Sequence, residues 1–408
     1  MHTNVSKIHD CYGCGVCAAT CPVHIIKMEL NSKGLLEPHI TDQNKCIDCG
    51  ICLSNCAFNY SQKSITTIPI RSFAAYSKDR RIQRKCSSGG VTFEICAMLI
   101  EEGYKVCAVK YNVEKEYAEH YIAENQLELI PSIGSKYIQS HTESAFSSFK
   151  RGQKYVIVGT PCQIDSLRKN LQRLKIEQDY ILIDFFCHGV PSYFAWSKYL
   201  DLVKKKVNPI TEVTWRNKKT GWHDSWAIGI DNKNTSCDLV DSRDFNTLIK
   251  EKDYFINSRL SKGDLFYNLF LGDYCMSQAC CKSCKYKYDK SAADIRVGDL
   301  WGSTYQRNQD GVSALITFTE KGNKIADKLW SKCVLIEDSF ETIAEGQMKS
   351  NSKNSIFYPL VMKWLTDEKL LPIFKLKLLF ALKTVNSFLK KLPSNSFLMI
   401  FFLGVFRL

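Results

Sequence analysis

The sequence lacks a long hydrophobic run and the glycine-rich fingerprints of common nucleotide sites. Residues 397–406 are almost wholly apolar, but about 20 residues are needed to span a bilayer, so no transmembrane helix is expected. No G-x-G-x-x-G follows a predicted strand, and G-x-x-x-x-G-K-[ST] does not occur, so an ordinary Rossmann site and a P-loop are not predicted. No basic stripe interleaved with aromatic residues is present, and nucleic acid is therefore not an expected partner.

The chain also has no recognisable secretory leader, because residues 1–10 are short and polar and a cysteine motif begins at once. Its 19 cysteines are therefore expected in the reducing cytoplasm, where thiolates stay free to bind metal. The formal net charge is +13. Part of this excess would balance bound iron–sulfur cubanes, each of which carries about −2 with its four thiolates. The remainder favours an acidic redox partner, a phosphorylated ligand or an anionic membrane surface.

Two similar cysteine blocks dominate the first 56 residues. Each reads C-x-x-C-x-x-C-x-x-x-C, the spacing of bacterial ferredoxins that hold two [4Fe-4S] clusters. In such proteins the fourth cysteine of each block binds the cluster of the other block. The predicted ligand sets are Cys11, Cys14, Cys17 and Cys56 for one cluster, and Cys46, Cys49, Cys52 and Cys21 for the other. A structural zinc site or a disulfide framework is the alternative, but neither explains why the fourth cysteine is repeated.

The remaining sequence suggests two further regions. Residues 1–65 are predicted to form an α+β ferredoxin-like domain. Residues 70–320 alternate strand patterns, such as 155–159 and 180–186, with helical patterns at 91–102 and 162–174. This alternation predicts an α/β domain with a largely parallel sheet.

Residues 321–408 are predicted to form a helical, basic C-terminal region with an apolar end. Residues 370–392 are rich in Leu, Phe and Lys and suggest an amphipathic helix. Such a tail either contacts an anionic membrane surface peripherally or packs on its own domain or on a partner subunit. The expected location is the cytoplasm, at the inner face of the membrane if the tail binds lipid.

A second group of cysteines suggests a third cluster. Cys162 and Cys187 each follow a predicted buried strand, and the carboxyl ends of such strands are where open α/β sheets bind ligands. Cys281-x-x-Cys284 supplies two more thiols. We predict a third [4Fe-4S] cluster at Cys162, Cys187, Cys281 and Cys284, with Cys280 as a substitute for Cys281. Apolar packing of single cysteines is the alternative.

An anion site is predicted where Cys86-Ser87-Ser88-Gly89-Gly90 opens the helix at 91–102. Free N–H groups, hydroxyls and glycines at a helix start suit a flavin pyrophosphate, although a plain serine N-cap has the same appearance. A second polar group, at 215–218 and 221–223, contains Arg, Lys and Trp residues that suit a phosphate or an aromatic ring. It reads equally well as a lysine-rich hairpin turn.

These motifs occur in one order along the chain. They are the doubled ferredoxin block, S-S-G-G at 87–90, G-T-P-C-Q at 159–163, C-H-G-V-P-S at 187–192, R-N-K-x-x-G-W at 216–222, C-x-x-C at 281–284 and D-I-x-x-G-D-L-W-G at 294–302. The ordered set resembles the coenzyme F-420 hydrogenase/dehydrogenase beta-subunit family over about residues 5–310. More closely, it resembles bacterial members that carry an N-terminal ferredoxin domain and occur in polysaccharide-biosynthesis contexts.

The resemblance implies FAD beside an iron–sulfur cluster in the α/β domain. It implies that Ser87, Ser88, Gly89 and Gly90 contact the flavin, that Thr160, Pro161 and Gln163 line the same pocket, and that Asp299 lies near it. The expected function is an iron–sulfur flavoprotein oxidoreductase, with a soluble redox donor or a partner enzyme. The alternative is a non-catalytic electron-transfer subunit. The family resemblance does not specify a substrate.

Overall fold

The structure is a computed structural model that describes residues 4–59, 68–205, 209–216, 218, 221–223, 228–231, 264–367 and 372–389. The chain divides into two compact units, Met1–Thr366 and Asp367–Leu408. In the second unit the described residues form one helix, Ile373–Leu389. The apolar stretch predicted at 397–406 and the end of the amphipathic pattern at 370–392 lie outside the described residues. No helix within the described ranges is both long and apolar enough to cross a membrane.

The first unit combines strands and helices along its whole length. Its strands are β1 Ile26–Leu30, β2 Leu36–Ile40, β3 Arg71–Ser77, β4 Lys105–Asn112, β5 Tyr117–Ala123, β6 Ser140–His141, β7 Tyr155–Val158, β8 Tyr180–Phe185, β9 Glu212–Thr214, β10 Gly229–Asp231, β11 Ile295–Asp299, β12 Ser313–Thr317 and β13 Cys333–Glu337. Its helices are α1 Val16–Ala19, α2 Ile51–Ser54, α3 Arg80–Lys85, α4 Val91–Glu101, α5 Gln126–Leu129, α6 Glu143–Ser147, α7 Pro161–Leu174, α8 Tyr193–Lys204, α9 Leu265–Leu271, α10 Gln278–Lys282, α11 Glu320–Lys328, α12 Phe340–Ile343 and α13 Tyr358–Thr366.

The N-terminal segment has the expected ferredoxin-type form. Strands β1 and β2 pair as an antiparallel hairpin, and the short helices α1 and α2 each contain the third cysteine of a block. Gly15 and Gly50 precede these helices with φ of 76° and 68°, a left-handed conformation that favours glycine. The two blocks therefore adopt matching loop-to-helix turns.

The α/β part is built on a mixed sheet. Within the described ranges, nine strands pair in the order β13–β3–β12–β11–β8–β7–β4–β5–β6. The central strands β11, β8, β7 and β4 run parallel to one another. Antiparallel pairs join β11 to β12, β12 to β3, β3 to β13 and β4 to β5. The expectation of a largely parallel sheet was therefore wrong for the flanks, where a hairpin and strands from both ends of the region add to the parallel centre.

Period-two alternation in the central strands places a helix on each face of the sheet. Val156 of β7 packs in the core cluster that contains α4, whereas Tyr155 and Ile157 pack in the cluster that contains α7. Burial on both faces explains why the central strands are continuous runs of Val, Ile, Leu and Tyr. It also brings the N-terminus of α7 to the carboxyl edge of the parallel strands.

The C-terminal boundary differs from the expected one. Residues 321–408 were expected to be helical, but β13 lies in this range and pairs with β3 over five residue pairs. Helix α13 also belongs to the first unit, which ends at Thr366. The strand pattern at 333–337 is short and half exposed, so its pairing depends on a partner strand from the other end of the α/β region.

Candidate functional site

Four cysteines of the ferredoxin-type segment line one cavity. The cavity encloses about 360 Å³ of space, and Cys11, Cys14, Cys17 and Cys56 contribute to its wall. The rest of the wall is mostly apolar, with Tyr12 and Met28 among its residues. Burial raises the pKa of the Cys14 thiol to about 11 and raises that of Cys11 as well. Buried thiolates need a compensating positive charge, which the iron of a cluster supplies.

The other four cysteines line a second cavity of about 330 Å³. These are Cys21, Cys46, Cys49 and Cys52. The second cavity lies closer to solvent than the first, since Cys49 is exposed and the adjoining Ile47 keeps 60 % of its side chain in contact with solvent. The Asn4 amide donates a hydrogen bond to the Cys46 sulfur at 3.3 Å.

The two cavities have the exchange of fourth cysteines that the spacing predicted. Cys56 lies with the first block and Cys21 with the second. Among the described residues, no three Cys, His, Asp or Glu side chains converge closely enough to hold a single metal ion. The cysteines surround a volume, the arrangement expected of ligands that wrap a multi-iron cluster. The assignment of individual ligands to each cluster stays a prediction.

The first cavity lies against the α/β part. The Thr142 hydroxyl donates to the Cys14 carbonyl at 3.2 Å, and the Gln139 side chain accepts from the Leu36 N–H at 2.9 Å. A Cβ atom on Gly13 would overlap Gln139, and one on Gly15 would overlap Thr142. These glycines therefore permit a close approach of the cluster loop to the sheet. The glycine spacing was recognisable in the sequence, but no motif around Gln139 or Thr142 predicted their contact with the cluster loop.

Helix α7 connects this cavity to the second group of cysteines. The Ser166 hydroxyl lies 3.5 Å from the Cys14 sulfur and accepts the Ala57 N–H at 3.0 Å. Cys162 lies one turn earlier on the same helix. A charge on Cys14 raises the pKa of Cys162, an effect second only to burial. Cys14 and Cys162 are therefore electrostatic neighbours across the boundary between the two parts.

The inner cysteines gather at the carboxyl edge of β7 and β8. Cys162 is the second residue of α7, and Cys187 follows β8. Charges on Cys280 and Cys187 both raise the pKa of Cys162, and charges on Cys187 and Cys284 raise that of Cys280. The N–H of Gly189 donates to the Cys187 sulfur and that of Val190 to the Cys280 sulfur. Backbone N–H groups aimed at sulfur are typical of cluster loops.

The geometry favours Cys280 over Cys281 as the third member of this set. A Cβ atom on Gly189 would lie 3.2 Å from the Cys280 Cβ, so Cys280 directly faces the loop that carries Cys187. The Cys281 sulfur instead lies 3.2 Å from the Ser352 hydroxyl and 3.1 Å from the Asn354 side-chain oxygen. The arrangement brings together Cys162, Cys187, Cys280 and Cys284.

Two buried cations support the loops around the inner cysteines. Lys287 donates to the carbonyls of Cys187 and His188 at 2.7 and 3.0 Å, and its charge lowers the pKa of Cys187 against the larger effect of burial. Arg296 forms a bidentate pair with Asp184, with both bonds at 2.7 Å and neither side chain exposed. Positive charge beside the site would offset the negative charge of a bound cluster.

The predicted anion loop at 87–90 lies at the same edge of the sheet. Its polar groups have protein partners, in the bonds Ser135 N to Ser87 Oγ (2.9 Å), Ser88 Oγ to Val312 O (2.8 Å) and Gly89 N to Ser313 Oγ (2.9 Å). Gly90 has φ of 83° and begins α4. A Cβ on Gly89 would overlap the Ala75 carbonyl, so this glycine fits the loop against β3.

Two lysines lie close to this loop. Lys218 donates to the carbonyls of Gln83, Ser88 and Asp310, each at 2.6 Å. Burial lowers the pKa of Lys218 and of Lys136 to about 7, and the three carbonyl acceptors of Lys218 match the three N–H bonds of an ammonium group. A pyrophosphate at this loop would meet the field of these ammonium groups, while their N–H bonds stay with the backbone.

The other predicted flavin residues also bond within the protein. Thr160 and Gln163 form a capping box at the start of α7, where the Gln163 side chain accepts the Thr160 N–H at 2.8 Å, and Pro161 is the first residue of that helix. Asp299, at the end of β11, accepts from Arg216 at 2.8 Å and from the Trp222 indole at 2.9 Å. All these residues lie at the carboxyl edge of the parallel strands, and their contact with flavin stays a prediction.

The polar group expected at 215–218 therefore has a structural role that its sequence did not reveal. The Arg216 side chain is buried, pairs with Asp299 and lies 4.8 Å from the centre of the Trp301 ring. Trp222 stacks on Trp301 with ring centres 5.7 Å apart. Asn217 lies outside the described residues.

Comparison with known proteins agrees with this geometry. Residues 10–60 match the 4Fe-4S dicluster domain, so the protein is an iron–sulfur protein with a dicluster domain. Residues 72–147 and 152–342 match the N-terminal and C-terminal parts of the coenzyme F420 hydrogenase/dehydrogenase beta subunit. The chain belongs to the coenzyme F420 hydrogenase/dehydrogenase beta-subunit family, as its motifs predicted, and it is an iron–sulfur electron-transfer protein of that family.

Among solved structures, the chain is similar to one from the F420-reducing [NiFe] hydrogenase complex of Methanosarcina barkeri. The match has 15% sequence identity and a TM-score of 0.46, and it covers 79% of this chain and 92% of that chain. No curated protein matches this chain.

Proposed function

We propose that the protein is an iron–sulfur flavoprotein oxidoreductase, which passes electrons from its ferredoxin-type clusters through an inner cluster to FAD and an organic substrate. The observation that carries the proposal is the approach of the two cysteine groups across α7. A charge on Cys14 of the first cavity raises the pKa of Cys162 of the inner set, and Ser166, which contacts the Cys14 sulfur, lies on the same helix as Cys162. A continuous series of cluster sites is therefore available within one compact unit.

Solvent exposure indicates the direction of entry. The second cavity has an exposed cysteine, Cys49, whereas the first cavity lies between it and the α/β part. A soluble redox donor or a partner enzyme would contact the exposed side. Its electrons would then reach the site held by Cys11, Cys14, Cys17 and Cys56 and finally the site at Cys162, Cys187, Cys280 and Cys284.

FAD, when bound, would collect single electrons and release them in pairs. The residues proposed to hold it are Ser87, Ser88, Gly89, Gly90, Thr160, Pro161, Gln163 and Asp299. Their common position at the carboxyl edge of the parallel strands supports this assignment, because open α/β sheets bind ligands there. Burial lowers the pKa of Lys136 and Lys218 to about 7, so a negative pyrophosphate at the loop would favour their protonated form and would be attracted by it.

A second candidate function is a non-catalytic electron-transfer subunit that serves a partner enzyme, for example in polysaccharide biosynthesis. One observation favours it. The hydroxyls of Ser87 and Ser88 and the N–H of Gly89 already bond to protein groups, so these groups would need to exchange partners to bind flavin. In this case the inner cluster would pass its electrons to the partner directly.

Iron, acid-labile sulfide and flavin per chain, measured after anaerobic purification, distinguish the two candidates. About twelve iron atoms and one FAD are expected for the flavoprotein with three cubanes. About twelve iron atoms without flavin would support the electron-transfer subunit. About eight iron atoms per chain would show that the inner cysteines hold no cluster. Turnover by the isolated chain with an artificial electron donor is a second test, since the subunit alone would not catalyse a reaction.

A further inference from the structure

Ser166 occupies the boundary between the first cavity and the inner cysteines. It lies in α7, its side chain is fully buried, and Cys162 precedes it by four residues. Residues four apart on a helix share one face, so Ser166 and Cys162 lie on the same side of α7. The Ser166 hydroxyl lies 3.5 Å from the Cys14 sulfur and 3.0 Å from the Ala57 nitrogen.

The chemistry of these neighbours determines the direction of both hydrogen bonds. The Ala57 N–H can only donate, so the Ser166 oxygen must accept that bond. A cluster-bound Cys14 is a thiolate with no S–H proton, so the Ser166 O–H is the donor to the Cys14 sulfur at 3.5 Å.

One hydroxyl thus joins the two cysteine-bearing segments in the wall of the first cavity. Cys14 lies in the first cysteine block, and Ala57 directly follows Cys56 of the second block. The serine itself belongs to a 14-residue helix that packs on the sheet through Ile164, Leu167 and Leu171. Its position is therefore set by the α/β part and not by the cluster loop.

We propose that Ser166 is a positioning residue of the electron relay, whose hydroxyl donates to the Cys14 sulfur and raises the reduction potential of the cluster held by Cys11, Cys14, Cys17 and Cys56. The inference rests on the proposed function, since it requires a cluster in the first cavity. Reduction adds negative charge to a cluster, and a hydrogen bond to a ligand sulfur stabilises the more negative state. The residue thereby makes the cluster nearest to Cys162 easier to reduce.

The second cavity provides an internal comparison. There the donor to the cluster sulfur is the Asn4 amide, at 3.3 Å from Cys46. Asn4 lines the second cavity and accepts the Ser6 N–H through its side-chain oxygen at 3.0 Å. The variant Asn4→Ala should therefore change the potential of the second cluster and leave the first unchanged.

The test is a redox titration of the full-length, cluster-loaded protein, monitored by EPR, on the wild type and on Ser166→Ala, Ser166→Thr and Asn4→Ala. Ser166→Ala is expected to shift the reduction equilibrium of one cluster by about tenfold, or about 59 mV for a one-electron couple, towards the oxidised state. Ser166→Thr keeps the hydroxyl and should restore the wild-type value. Asn4→Ala should shift a different midpoint.

Unchanged midpoint potentials in Ser166→Ala with full iron content would overturn the proposal. This holds even if the unfolding temperature falls, because Ser166 would then have only a structural role. If Ser166→Ala loses iron, Ser166→Cys replaces it, because its thiol is a weaker donor of similar size. A smaller shift in the same direction is then expected, and no shift would overturn the proposal. A wild-type protein without iron in the first cavity would contradict the proposed function itself, a distinguishable failure.

Discussion

At the residue scale, one position along helix α10 decides which cysteine joins the inner set. Cys280 and Cys281 are adjacent in sequence, but successive side chains on a helix point about 100° apart. Cys280 faces the loop that carries Cys187, whereas Cys281 contacts Ser352 and Asn354. The C-x-x-C spacing suggested Cys281, since that pattern is familiar from metal sites. The set that the geometry favours has a C-x-x-x-C spacing, with Cys280 in α10 and Cys284 just beyond the end of that helix.

The two cysteines provide a matched pair of variants. Cys280→Ala should remove about four iron atoms per chain and the matching share of sulfide, because the inner cluster loses a ligand. Cys281→Ala should keep the wild-type iron content, since its sulfur contacts side chains outside the inner set. Iron and sulfide assays with visible absorption spectra measure both effects. Iron loss in Cys281→Ala with retention in Cys280→Ala would reverse the assignment.

At the element scale, a buried ion pair holds β8, β11 and the loop after Cys284 in place. Arg296 of β11 pairs with Asp184 of β8, and it also donates to the carbonyls of Tyr286 and Tyr288 at 3.2 and 2.8 Å. The Ser291 hydroxyl donates to the same carboxylate at 2.7 Å. This network orients the chain as it leaves Cys284, so strand pairing and the geometry of the inner site depend on each other.

Removing the guanidinium should therefore destabilise the protein strongly. Arg296→Leu would leave the Asp184 carboxylate buried without its partner, and a loss of about 3–5 kcal/mol in the free energy of unfolding is expected. The matched control is Lys328→Met, which removes the exposed pair with Glu102 and should cost about 0–1 kcal/mol. Urea unfolding followed by tryptophan fluorescence under anaerobic conditions gives both values. Equal losses in the two variants would disprove the role of the buried pair.

The helices and strands were predicted correctly where a local sequence pattern marks them. Helices α4 and α7 and strands β7 and β8 lie within two residues of their expected ends, because continuous apolar runs and clear helical periods mark them. The sheet order was harder, since β3, β12 and β13 pair across gaps of more than 200 residues. Antiparallel and parallel pairing leave similar patterns in short buried strands, so the mixed flanks were not visible in the sequence.

At the scale of the whole molecule, the cysteine groups are parts of one compact unit that ends at Thr366. The ferredoxin-type segment contacts the α/β part close to the first cavity at Gly13, Cys14 and Gly15, and further away at Gly34 and Asn55. The second cavity faces solvent. This arrangement supports the proposal that electrons enter at the exposed second cavity and leave at the carboxyl edge of the sheet.

The tail provides a prediction at this scale. Deletion of residues 394–408, which lie outside the described residues, should release the protein from vesicles of anionic lipid, because an apolar and basic end would bind such a surface. The visible spectrum should stay unchanged, since the cysteine cavities lie in the first unit. Co-sedimentation with anionic vesicles, with neutral vesicles as the control, measures the effect. Unchanged binding would exclude the deleted residues as the anchor.

The sequence by itself identified the family and predicted the two ferredoxin ligand sets, because close spacing within a short loop leaves cysteines few ways to share a cluster. Only the tertiary structure decided that Cys280 faces Cys187, that Ser166 contacts Cys14 and that Asp299 pairs with Arg216. These contacts join residues 83 to 152 positions apart, or depend on the rotation of a helix about its axis. Local sequence patterns predict which face of a helix or strand is apolar. Long-range contacts depend on how separate helices and strands pack together, which no local pattern specifies.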